Sequence, residues 1–171
     1  FKAVDMELLR KCPCPVWLTR PIQRHRNEIR VAVAIDPESM EPEGHDLSIR
    51  LLQVAQALSE SCDGKLRVIS CWDYRYEEYL RHSVWMQVSD EDLDQAIVAA
   101  KTQHRVALDE LIAQANISGD IEVHHIRGNA DTTIPEWIEE QECDVLVIGT
   151  VARTGIYSFV IGNTAENIIQ K

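Results

Sequence analysis

The chain has 171 residues and a formal net charge of −11; 45% of its residues are hydrophobic and 26% are charged. That suits one globular, soluble α/β domain with a sizeable core. No apolar run approaches the roughly 18 residues of a membrane span, and an acidic surface repels phosphodiester backbones, so neither membrane nor nucleic acid is an expected partner.

The N-terminal stretch "FKAVDMELLRKC" is amphipathic and charged, so no secretory leader is expected. Cys12, Cys14, Cys62, Cys71 and Cys143 make an odd number, which points to reduced thiols and a cytoplasmic setting. "CPCPVWLTR", residues 12–20, reads as a strand whose entry is stiffened by Pro13 and Pro15, not as half of a metal motif. The one basic cluster, "RPIQRHRNEIR" at 20–30, reads as a solvated linker rather than a nucleic-acid site.

Residues 30–36, "RVAVAID", have the unbroken apolar and β-branched character of a strand buried on both faces, ending in Asp36. A loop through "PESMEPEGH" is expected next. A helix follows from Asp46, with Leu47, Leu51, Val54, Ala55 and Leu58 on its inner face, stopping before Gly64. "KLRVISCW", 65–72, is a second strand. The segment after it holds Tyr74, Tyr76, Tyr79 and Trp85; with Trp72 these form a lid over a cleft, a partner surface or a packed loop. Ser89 with Asp92 is a variant capping box that opens a helix over about 90–116. Leu93, Ile97, Ala100, Val106, Leu108, Leu111 and Ile112 supply its inner face, and Gly119 breaks it.

"DIEVHHIRG", 120–128, alternates as a third strand. Its adjacent His124 and His125 point to opposite faces, one of them exposed, and cannot jointly chelate a metal. "NADTTIPEWIEEQE" is a helix with Pro135 in or near its first turn. "CDVLVIG", 143–149, is a further strand. After a long loop, "NTAENIIQK" starts a last helix. Strands alternating with helices imply βαβ crossovers and a parallel sheet with ligands at the strand carboxyl ends, where Asp36 and Gly149 stand. The acidic residues Glu77, Glu78, Asp90, Glu91, Asp92 and Asp94 lack a glycosidase-like context. The chain has no Ser-His-Asp order and no G-x-S-x-G elbow, so no catalytic residue and no metal ligand is assigned.

"MELLRK", 6–11, and "ENIIQK", 166–171, match in pattern. The expected organisation is the end of one repeat (1–20), a linker (21–28) and a second repeat (29–171) lacking its own last strand. Segment 14–20 would serve as the edge strand, within the chain or across a homodimer.

"RVAVAID", "DVLVIGT…GIYSFVIGNTAENI" and "CPCPVWL" together resemble the universal stress protein family, and "GTVARTG" with "GNTAE" its tandem E-type members. The resemblance implies an α/β fold with a three-layer, doubly wound parallel sheet in strand order 3-2-1-4-5, a dimer, and a cleft that in some members takes ATP or AMP. Those members carry G-x2-G-x9-G-(S/T) after the fourth strand, where glycines let backbone approach phosphates and a helix N-terminus completes the anion site. Carried onto this chain, the motif falls on Gly149, Ala152, Gly162 and Asn163, so two of its four positions depart. Thr164 offers a hydroxyl one residue later and Arg153 a cation inside the loop. The resemblance also implies Asp36 beside the adenosine, and Cys71 and Ile148 beside the base. The reading is a stress-response small-ligand binding protein, with a ligand-free interaction or dimerisation module as the alternative. Catalysis, including ATP hydrolysis, is not expected, because neither a general base nor a P-loop magnesium set is present.

Overall fold

A computed structural model describes residues 9, 12, 14–19, 21–38, 42–62, 64–82, 88–149 and 163–170. Its strands are β1 (Val31–Ala34), β2 (Leu66–Trp72), β3 (Ile121–Arg127) and β4 (Val145–Ile148). Its helices are α1 (Pro42–Ser61), α2 (Glu77–His82), α3 (Asp90–Gln114), α4 (Ala130–Glu140) and α5 (Asn163–Gln170).

All strand pairs are parallel and the sheet order is β3-β2-β1-β4. Alternation along β1 builds two cores. Val31, Val33 and Ile35 meet Leu52 and Ala55 of α1 and Leu108 and Leu111 of α3. Ala32 and Ala34 meet Ile134 and Trp137 of α4, with Ile168 of α5 beside them. Helices therefore cover both faces, as the doubly wound reading requires. β1, central and flanked by β2 and β4, is buried at every position.

Several boundaries differ from the sequence expectation, each for a local reason. Helix α1 begins at Pro42, four residues before Asp46; proline at a first helical position loses no bond and presets φ. Helix α3 starts as expected, with Ser89 Oγ accepting from Asp92 N at 3.1 Å. It ends at Gln114, before Gly119, because Asn116 takes a left-handed φ of 50°. On α3, Val106 is 50% exposed, while His104 is 3% exposed and occupies the inner stripe. Pro135 lies in the second turn of α4, next to the first. Its missing N–H forfeits the bond to the Asp131 carbonyl.

Among the described residues, 14–19 form no strand and the sheet ends at β4. Expected pairing of this segment within the chain is therefore corrected. Pro13 and Pro15 each remove a ladder donor, and Trp17 is 61% exposed instead of packed. The basic cluster spends its charge on the chain's own acids. Arg24 donates to Glu142 at 2.8 Å and lies 3.4 Å from Asp144. Arg30 reaches the Gln141 carbonyl at 3.0 Å and Glu142 at 2.9 Å, while its N–H donates to Asp144 at 2.9 Å.

Candidate functional site at the carboxyl edge of the sheet

Strand register sets the geometry of the edge. Ile148, Ala34, Ile69 and His124 stand in one row across β4, β1, β2 and β3. Gly149 follows Ile148 directly, Asp36 lies two residues beyond Ala34, and Cys71 lies two beyond Ile69. Four of the expected ligand residues thus share one edge.

The turn carrying Asp36 is pinned from below. Ile35 N donates to the Ile69 carbonyl at 3.0 Å, and the fully buried Ser70 donates its hydroxyl to the Ile35 carbonyl at 2.8 Å. Asp36 Oδ1 in turn accepts from Glu38 N at 3.1 Å, closing an Asx turn. Cys71 is half-buried, and desolvation pushes its thiol up to about 11, so the sulfur is a neutral, weakly polar contact at physiological pH. Gly149 has no left-handed φ; a Cβ there would meet Leu47 Cδ2 and Leu51 Cδ1, each at 3.3 Å. α1 therefore packs closely on this glycine, and a methyl group there would require Leu47 and Leu51 to give way by a few tenths of an ångström.

Asn163 is the first residue of α5, and Thr164 follows on its first turn, half-buried. Glu166 places an acid in that same turn. Ala152, Arg153 and Gly162 lie outside the described residues, as does Trp85.

The aromatic segment is split. Trp72 is buried in β2, whereas Tyr76 and Tyr79 are more than 60% exposed. Trp72 stacks on His125 with ring centroids 5.8 Å apart, and His125 stacks on His104 at 5.0 Å. His104 Nδ1 and His125 Nε2 are 3.0 Å apart. Lys101 and Arg127 lie over the Trp72 ring at 5.9 and 5.5 Å. Burial, then the neighbouring His104, Arg105 and Lys101, lower the pKa of His125. His124 projects to the other face, as expected, where its ring packs 4.7 Å from that of Trp137. Neither histidine is exposed, because helices cover both faces of β3. His104 also brings an imidazole beside Asp36 and Glu38. The residue was missed in sequence, yet it continues the stripe Leu93, Ile97, Ala100, Leu108 and Leu111.

The edge, the two-sided helical cover and the order β3-β2-β1-β4 have a counterpart in known proteins. A profile of the Universal stress protein family matches residues 30–171. The chain belongs to the universal stress protein family. It is 28% identical over 171 residues to universal stress protein E of Photorhabdus laumondii, covering 99% of this chain and 52% of that protein. A functionally unknown protein from Pseudomonas aeruginosa PAO1 superposes with a TM-score of 0.72 at 28% identity, over 98% of this chain and 52% of that one. The universal stress protein UspA from Lactobacillus plantarum shares the fold at 12% identity, with a TM-score of 0.58 over 83% of this chain and 92% of that one. This universal stress protein chain therefore spans about half the length of the curated relatives it matches.

Proposed function

We propose that this chain is a stress-response binding domain whose cleft at the sheet's carboxyl edge takes a small ligand, an adenine nucleotide such as ATP or AMP. The observation that carries this reading is the convergence of Asp36, Cys71, Ile148 and Gly149 on one edge, with α5 starting at Asn163 and Thr164, fourteen residues on from Gly149 in sequence. In the proposed complex Asp36 accepts from the ribose, and Cys71 and Ile148 flank the base. Gly149, Gly162, Asn163 and Thr164 take the phosphates with Arg153. Ala152 and Asn163 are the departures from the family's nucleotide motif. A methyl at 152 crowds the phosphate approach, while the Asn163 amide supplies a donor in place of a hydroxyl. The proposed role is binding and signalling in the cytoplasm, not catalysis.

A ligand bound only by the folded state raises the melting temperature by mass action. Millimolar ATP or AMP is expected to raise it in EDTA buffer, and Ala152→Gly to enlarge the shift. No shift with either nucleotide sinks the nucleotide reading.

A second reading, a ligand-free homodimerisation module, is favoured by β4, which among the described residues is a sheet-edge strand with β1 as its partner on one side. Such an edge is a template for another strand. Sedimentation velocity over a hundredfold concentration range would show a dimer under this reading; a monomer throughout rejects it.

A further inference from the structure

The loop after β1 and the middle of α3 bring three metal-binding side chains together: Asp36, Glu38 and His104 each offer one ligand atom, and these atoms lie within 4.8 Å of one another. We propose that they form a binding site for a divalent first-row transition metal of the zinc or manganese class. The reading does not depend on the nucleotide proposal, although Asp36 is common to both.

Distance is the first argument. A metal about 2.0–2.2 Å from each nitrogen or oxygen sets its ligand atoms roughly 3–4.4 Å apart. The three groups need only about an ångström of side-chain adjustment to close on an ion.

Chemistry is the second. One imidazole and two carboxylates suit zinc or manganese, and three protein ligands leave further positions for water.

The setting of His104 is the third. A surface ion pair would not need a histidine that is 3% exposed. Its Nδ1 faces His125 Nε2 at 3.0 Å. In the tautomer with its proton on Nδ1, His104 donates to His125 and carries its lone pair on Nε2. This is the outer-shell support that fixes tautomer and ring orientation at metal-bound histidines. Trp72 stacks behind His125 and restrains that ring. On the loop side, the Ser70 hydroxyl and the Asx turn hold Asp36. Only Glu38 is exposed, so it is the ligand that closes the site last.

The test uses the full chain with Cys12→Ser and Cys14→Ser, stripped with EDTA, exchanged into metal-free buffer without nucleotide, and titrated with Zn2+ and with Co2+. The expected results are a dose-dependent rise in melting temperature and cobalt d–d absorption without thiolate charge-transfer bands. Glu38→Gln and Asp36→Asn are each expected to weaken metal affinity at least about tenfold, the size of loss seen even for outer-shell partners. Both residues sit on the loop, so unchanged melting without metal establishes that the variants fold. The proposal is overturned by the absence of any shift, by the same shift in the Asp36→Asn/Glu38→Gln double variant, or by a thiolate-dominated cobalt spectrum. Glu38 has no part in the nucleotide reading. A Glu38→Gln protein that answers to ATP in EDTA but not to Zn2+ separates the two sites, and failure with ATP alone leaves the metal site standing.

Discussion

A methyl group at Gly149 would sit 3.3 Å from a terminal carbon of Leu47 and 3.3 Å from one of Leu51. The family motif suggested a phosphate contact for this glycine, and α1 supplies a second reason that no local motif announces. Gly149→Ala is expected to cost about 1 kcal/mol, the lower end for overpacking a close contact, read as a lower urea midpoint at unchanged m-value. An unchanged midpoint would mean that α1 yields without strain. His104 makes the complementary point. Among apolar neighbours at helical spacing it reads as a polar residue on the wrong face. Its meaning lies in Asp36, Glu38 and His125, which are distant in sequence and adjacent only after folding. Long-range juxtaposition of this kind has no local signature.

At the scale of elements, what could be read was periodicity and what could not was termination. β1 to β4, α1 and α3 all follow from apolar spacing, although Val54 of α1 and Val106 of α3, both expected on inner faces, are half exposed. Ends depend on backbone choices that composition underdetermines. Asn116 stops α3 before Gly119 has any influence, and Glu142, at φ 49°, ends α4 in a Schellman arrangement. There Cys143 N reaches the Ile138 carbonyl at 3.0 Å and Glu142 N reaches that of Glu139 at 3.1 Å. The N-cap of α3 was the legible end, because Ser89 and Asp92 are chemically specific. Ser89 accepts from Asp92 N and donates back to its carboxylate at 2.6 Å. Ser89→Ala should lower stability by about 1 kcal/mol, measured by urea denaturation, while Ser118→Ala, outside any helix, serves as the control. Equal midpoints for the two variants would remove the cap from the account.

For the whole molecule, the parallel sheet was legible because strand–helix alternation and the two-faced burial of β1 leave few alternatives, while its order and doubly wound cover came from the family resemblance. Of the two placements expected for an edge strand at 14–20, the described residues 14–19 do not form the one within the chain, and an apolar run flanked by prolines looks the same whether or not a partner strand accepts it. Charge distribution was also partly hidden: Arg24 and Arg30 cluster in sequence, but their partners Glu142 and Asp144 come from the far end of the chain. The Arg24 hydrogen bond, followed by the charges of Arg24 and Arg30, holds the Glu142 carboxyl below its ordinary pKa. A group depressed by folding stabilises the native state above its unfolded pKa, and that contribution is lost as pH falls through its folded value. The stability gap between wild type and Glu142→Gln is therefore expected to shrink as pH drops from neutral through the carboxylate range. A gap that stays constant with pH would show that the pair contributes nothing through charge.

The same clasp has a mechanical meaning. Residues before β1 do not enter the sheet as a free tether; Arg24 fastens them to the start of β4, and Arg30 fastens β1 itself there. Tension arriving along the chain from residue 21 meets these ion pairs first. It then passes sideways into β4 as well as lengthwise into β1, so two parallel strands share the load. The carboxyl edge, with Asp36 and Gly149, lies at the opposite end of both strands and is shielded from that pull by the length of the sheet.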